Sequence, residues 1–254
     1  MCGKASVSAL SWKDIYAWAN LLSPSGGLPA DPESRINVSP SRQRRVADPG
    51  TTVWESLPAT LSPTITGEYS AVEATWPFMP PWSRGRLPRL KSGQWLSTAN
   101  ARLRREGDPF ARTFMTPWRG GFRAVAWVSW FYEFDSRVKP QVPYAVFNLE
   151  QPFWPMAALV GRTETTTGES AWSISIITVE PNAVLRSVGH HRSPALLRNG
   201  DEVRQWLEAP GDQALGLLRP YPEEQMGVEA VPMDIKIPGN QDVVLPEALL
   251  RHAD

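Results

Sequence analysis

Twenty-five prolines spread through 254 residues argue against a bundle of long helices, because each one removes a backbone N–H and clashes with the preceding turn. The apolar material comes instead in short runs dense in Val, Ile, Trp, Tyr and Phe, which suit a pleated surface. "GFRAVAWVSWFYEFD" at 121–135, "PYAVFN" at 143–148, "MAALVGRTE" at 156–164 and "WSISIITVEP" at 172–181 each read as a strand. "VEAVPMDIKI" in the acidic tail reads as one more. "EYSAVEATWPFM" reads as a strand entering a turn at Pro80-Pro81, residues 23–68 as loop with short strands, and "STANARLRRE" as a loop or short helix. Two helices are expected. One lies in "SWKDIYAWANLL" at 11–22, where Trp12, Ile15, Tyr16 and Ala19 share a face and Pro24, Gly26, Gly27 and Pro29 follow. The other is "DEVRQWLE" at 201–208. This pattern predicts one α+β domain over 1–254, a mixed, barrel-like β-sheet flanked by short helices, with 211–254 as a C-terminal extension.

Charge is distributed unevenly behind a net value of zero. Residues 1–125 hold 16 Lys and Arg against 9 Asp and Glu, and the remainder holds 10 against 17. The excess is concentrated in "RINVSPSRQRR" at 35–45, "RGRLPRLK" at 84–91 and "ARLRR" at 101–105. Such clusters are the footprint of a polyanion-binding face, and equally of a solvated charged surface. Aromatics and prolines interleave with the arginines in "TWPFMPPWSRGR" at 75–86, a mixture that suits stacking on unpaired bases beside phosphate contacts. The N-terminus lacks a charged-then-apolar signal pattern, and no apolar run approaches the roughly 18 residues that span a bilayer. A soluble cytoplasmic protein without a membrane partner is expected.

The single cysteine stands at position 2. One thiol excludes an internal disulfide framework and fits a reducing compartment. If Met1 is removed, Cys2 carries an α-amine and a thiol on adjacent carbons, two nucleophiles in one residue. An incidental cysteine near a chain end is the plain alternative. Two other places set polar groups in apolar surroundings. Glu133 lies among Trp130, Phe131, Tyr132 and Phe134, where desolvation would suit it to proton transfer, unless strand alternation turns it to water. "SVGHHRSPALL" at 187–197 holds His190 and His191, two of the three histidines. A metal is not expected there, since zinc usually takes three or four ligands. General acid/base work by one of the pair, with Arg192 as an anion anchor, is the better reading.

Taken in order, these segments resemble the SRAP family, named for SOS-response-associated peptidase and understood as abasic-site processing proteins. The resemblance runs over about 1–210: Met1-Cys2-Gly3, "NVSP" at 37–40, "ATWPFMPPW" at 74–82, "NAR" at 100–102, "FYEF" at 131–134, "IIT" at 176–178, "HHRSP" at 190–194 and "WL" at 206–207. The chain departs from the family pattern at His191, where Asp is usual, and at Ser193, where Met is usual. It also carries Val128-Ser129-Trp130 in place of Ala-Asp-Gly, and Arg104 where an acidic residue is common.

The resemblance implies a partner, single-stranded DNA containing abasic sites, and a protein acting as a monomer without cofactor, associated with the nucleoid when bound. It implies that Cys2 forms a Schiff base and then a thiazolidine with the ring-opened sugar, with lyase cleavage through the same Schiff base as a second outcome. Glu133 would transfer protons, His190 would act at the sugar oxygen, and Asn37 would hydrogen-bond near the sugar. Arg102 and Arg192 would grip phosphates, with Arg84 and Arg86 in the same basic face, while Pro40 and Trp82 would wedge or stack against bases. Two other classes remain open. One is an N-terminal-nucleophile cysteine amidohydrolase or peptidase, such as a glutaminase domain, which also begins Met-Cys-Gly. The other is a single-stranded DNA binder that has lost its chemistry.

Overall fold

The computed structural model describes residues 3–40, 43–45, 52–164, 170–237 and 239–250. Its strands in chain order are β1 (Ala5–Val7), β2 (Arg35–Val38), β3 (Gln43–Arg45), β4 (Thr52–Trp54), β5 (Ser56–Leu61), β6 (Ser70–Thr75) and β7 (Asn100–Arg102). They continue as β8 (Arg123–Val128), β9 (Trp130–Asp135), β10 (Val142–Asn148), β11 (Trp154–Glu164), β12 (Ser170–Val179), β13 (Ser193–Pro194) and β14 (Met226–Ala230). Five of them close on themselves in the order β11-β8-β5-β6-β12, with β12 paired back to β11. The β6–β12 contact is parallel and the other four are antiparallel, so the barrel is mixed, as the strand pattern predicts. Closure leaves no free edge on these five strands. It also buries every residue of β8, which is why that strand reads as an uninterrupted apolar run rather than an alternation.

A second sheet, β14-β10-β9-β1-β2, is antiparallel throughout. It is built from what the sequence presents as a continuation of β8. The single strand expected at 121–135 is two strands in two sheets, broken at Ser129. The Ser129 N–H donates to Ser6 O at 2.8 Å, while its hydroxyl donates to Ser8 O at 2.7 Å and accepts from Ser8 N–H at 2.8 Å. The serine thus satisfies the polar groups at the corner and pins both sheets to the N-terminal strand. Past the corner, both faces of β9 are covered. Phe131 joins the main core, while Trp130 and Tyr132 form a second apolar cluster with Ala145, Val231, Ile235 and Leu249.

That second cluster is where the acidic C-terminal part docks. β14 extends the sheet beside β10, and Asn37 Nδ2 donates to the backbone oxygens of Ile235, Ile237 and Asn240. Trp130 is fully buried there and donates its indole N–H to Tyr132 Oη at 2.7 Å; that hydroxyl in turn donates to Ile36 O. The strand expected over 228–237 stops at Ala230, because Pro232 lacks the donor a ladder needs and opens a short 3-10 turn, Met233–Lys236.

The helix expected at 11–22 forms over Trp12–Ala19, capped by the Ser11 side chain and ended by Asn20 in a left-handed conformation, before the proline-glycine stretch is reached. The helix expected at 201–208 spans Gly200–Glu208 behind an Asn199 cap. A further helix, Arg112–Arg119, forms despite Pro117 because Phe114, Met115 and Trp118 bury one face. "STANARLRRE" contains a strand: Asn100–Arg102 pairs parallel to β12, with Ile176 opposite Asn100. No helix among the described residues is long and apolar enough to cross a membrane.

Candidate active site

The end of β12 gathers the segments that carry polar chemistry. Thr178 lies between Arg102 of β7 and Pro194 of β13, so "NAR" and "HHRSP" flank one strand from opposite edges. A short helix, Ala183–Ser187, and a turn at Gly189 return the chain so that His190 enters this region from outside the barrel end.

Glu133 is 1% exposed, and its Oε2 lies 2.7 Å from His190 Nε2. On the opposite side of the ring, His190 Nδ1 lies 2.8 Å from Arg192 O. A carbonyl oxygen only accepts, so Nδ1 carries a proton. A proton must then also lie between Nε2 and the carboxyl oxygen, since two lone pairs at that separation repel. The pair is therefore an imidazolium–carboxylate or a neutral imidazole–carboxylic acid, and both arrangements hold one proton ready to move. The two faces of β9 explain the burial. Alternation does operate, and it turns Glu133 toward the barrel side with Phe131, not toward water.

His191 is exposed and stacks its ring on that of His190, with centroids 5.4 Å apart and planes at 22°. Burial above all, with the neighbouring His190, Arg102 and Arg192 charges adding to it, pushes its pKa below the ordinary histidine value. Contact with the carboxylate thus falls to His190 alone of the two. Arg192 is 3% exposed, and its guanidinium donates to Glu180 Oε1 at 3.1 Å, to Leu103 O and to Thr178 O. It ties β12, β7 and the histidine loop together, which makes it a support for the site; the exposed Arg102 beside it is the group able to meet an external anion.

Asn37 is buried on β2, two strands from β9 in the same sheet. Its Oδ1 accepts from Lys4 Nζ at 2.8 Å and its amide is taken up by the C-terminal segment. Pro40 is half-buried just beyond β2. Trp82, 64% exposed, sits in the 3-10 turn Pro81–Ser83, followed by the exposed Arg84 and Arg86. Cys2 lies outside the described residues, as do Ser41 and Arg42 of the first basic cluster. No group of three or more His, Cys, Asp or Glu able to hold a metal occurs among the described residues.

Three residues that sequence reasoning did not single out position the dyad. Asp135, two residues past Glu133 on the same face, binds Arg137 through both carboxylate oxygens, and Arg137 also donates to Ser187 O. The Arg137 hydrogen bonds hold the Asp135 carboxyl down at about 2. The clamp is thus intact above the ordinary carboxylate range and is lost only as pH falls toward that value. Gly189 closes over it at φ +76°, where an added Cβ would lie 2.4 Å from Asp135 Oδ1 and 2.7 Å from Arg137 Nε. Gly189→Ala is expected to cost about 1–3 kcal/mol through left-handed strain and displacement of the clamp. Denaturant unfolding measures this, and a loss below about 0.5 kcal/mol would show that the loop is not held. Glycine directly before the histidine pair was the legible signal.

Over residues 1–238 the chain matches the model of a family described as SOS response associated peptidase (SRAP). The chain belongs to the SRAP family. Curated relatives include "Abasic site processing protein YoaM" of Bacillus subtilis, 26% identical over 179 residues, covering 68% of this chain and 73% of that protein. "Abasic site processing protein YoqW" of Bacillus phage SPbeta is 25% identical over 178 residues, covering 68% and 74%. A crystal structure of a Bordetella bronchiseptica protein superposes with a TM-score of 0.66 at 20% identity, covering 90% of this chain and 100% of that one. It shares the SRAP fold described above.

Proposed function

We propose that this SRAP protein processes abasic sites in single-stranded DNA by forming a covalent thiazolidine crosslink through Cys2. The observation that carries the reading is the buried Glu133–His190 contact, 2.7 Å from carboxylate oxygen to ring nitrogen. The register of β1 against β9 adds to it. Ala5 pairs with Phe131 and Tyr132 N–H donates to Lys4 O, so the same antiparallel count brings Gly3 level with Glu133. Cys2 is the next residue in the chain.

The chemistry closes without a cofactor. The N-terminal amine adds to the sugar aldehyde, and the resulting carbinolamine loses water to give an imine. The Glu133–His190 pair supplies the proton that lets hydroxide leave as water. The Cys2 sulfur then adds to the imine carbon, its proton passing to the nitrogen, and a five-membered ring forms. The second step is intramolecular and gains accordingly. Lyase cleavage would depart from the same imine.

Exposed Arg84, Arg86 and Arg102, with Trp82 beside them, fit a strand whose phosphates and bases are contacted together. Binding to an abasic single strand is therefore expected to weaken about fiftyfold or more between 50 and 200 mM salt if four or more phosphates are neutralised. Fluorescence anisotropy across that range is the test, and an affinity indifferent to salt would remove the basic face from the reading. The amidohydrolase alternative finds no specific support in this geometry.

A further inference from the structure

Arg102 borders a second feature. A cavity of about 230 Å³ opens beside β7, and its lining joins Leu96 and Phe114 with the hydroxyl-bearing Thr98 and Thr113 and the exposed cations Arg102 and Arg104. Thr98 is 2% exposed, and its Oγ1 makes no hydrogen bond among the described residues. A buried hydroxyl left without a partner is destabilising, and native structures hold few of them. Thr98 lines the cavity, and rotation about χ1 would carry its hydroxyl from this unpartnered position to a ligand seated there.

The mixture of groups narrows the ligand. Leu96 and Phe114 disfavour a bare phosphate or sugar, whereas a flat ring gains from them. The threonine hydroxyls donate or accept by rotation and so tolerate any base edge. Arg102 and Arg104 supply charge where phosphates would flank such a ring. The volume lies below the roughly 300–1,000 Å³ of sites that enclose a whole drug-sized ligand, which suits one ring system. The cavity lies on the same side of the barrel as the histidine loop, since Arg102 of its lining and Pro194, which follows that loop, flank the same residue, Thr178.

We propose that this cavity receives the nucleobase of a nucleotide neighbouring the abasic sugar, with Thr98 Oγ1 on its edge and Arg102 and Arg104 on its phosphates. The inference rests on the reading of the dyad as an abasic-DNA site. A strand that lacks one base is already unstacked there, so turning out the neighbour costs little.

The test is anisotropy with single strands carrying a tetrahydrofuran abasic analogue, which binds without crosslinking, alone or with a second analogue at the 5′ or 3′ neighbour. Wild type should lose about tenfold in affinity when the base on one side is removed, and little on the other. Thr98→Val should weaken binding of the base-bearing strand about five- to tenfold, leave the doubly abasic strand unchanged, and melt no lower than wild type, because only an unpartnered hydroxyl is lost. Thr113→Phe, which fills the cavity from a surface helix, should reproduce the affinity loss. Equal affinities for all strands, or a Thr98→Val protein that binds like wild type, would overturn the cavity assignment. Crosslinking of wild type to a true abasic strand, run alongside, separates the two ideas. Retained crosslinking with no neighbour effect removes the cavity alone, and failure of wild type to bind or crosslink any abasic strand removes both.

Discussion

Cys2→Ala is expected to abolish the covalent product that survives denaturation. The variant keeps an N-terminal amine and can still reach the imine, but an imine hydrolyses and only ring closure by sulfur makes the bond durable. Borohydride, which reduces the imine to a stable amine, should therefore recover a crosslink for Cys2→Ala, whereas wild type needs no reductant. Cys2→Ser should behave like the alanine variant, since a hydroxyl is a poorer nucleophile than a thiol at neutral pH. The experiment is a denaturing gel with an abasic single-stranded oligonucleotide, using protein whose loss of Met1 is established by mass spectrometry. Equal yields from wild type and Cys2→Ala without reductant would sink the proposal and return attention to non-covalent binding.

Glu133→Gln should slow crosslinking by about 10²–10⁴-fold, the usual worth of a positioned acid–base group. The amide matches the carboxylate in volume and can donate to His190 Nε2, so the thermal midpoint should move little. What it cannot do is share a mobile proton with the ring. Because the two groups hold that proton jointly, Glu133→Gln combined with His190→Gln should be barely worse than either change alone. Single-turnover rates at saturating DNA measure this. Effects that multiply in the double variant would mean the 2.7 Å contact is structural and the residues act separately.

Much of the architecture was legible in the residues. Short runs dense in Val, Ile and aromatic residues marked β10, β11 and β12 within a few residues, and the shared face of Trp12, Ile15, Tyr16 and Ala19 marked the helix at Trp12–Ala19. What escaped was where one run divides. Nothing local in "GFRAVAWVSWFYEFD" distinguishes one long strand from two, because Ser129 is a modest strand former. The break comes from three hydrogen bonds to Ser6 and Ser8, more than 120 residues away in sequence. Trp130, a departure from the family pattern, is explained in the same way, since the C-terminal segment covers it.

The chain by itself determined the reactive inventory: one cysteine at position 2, a carboxylate set among aromatics, a histidine pair behind a glycine, and arginines clustered in the first half. These depend only on covalent order and side-chain chemistry, which composition and spacing display directly. Tertiary structure alone decided which histidine faces Glu133, that Arg192 is drawn inward by Glu180 and the Thr178 carbonyl, and that Asn37 holds the C-terminal segment. Each of those outcomes turns on a choice between partners distant in sequence. Such a choice is settled by the burial of both faces of β9 and by the requirement that every enclosed polar group find a mate, conditions that no local stretch of sequence contains.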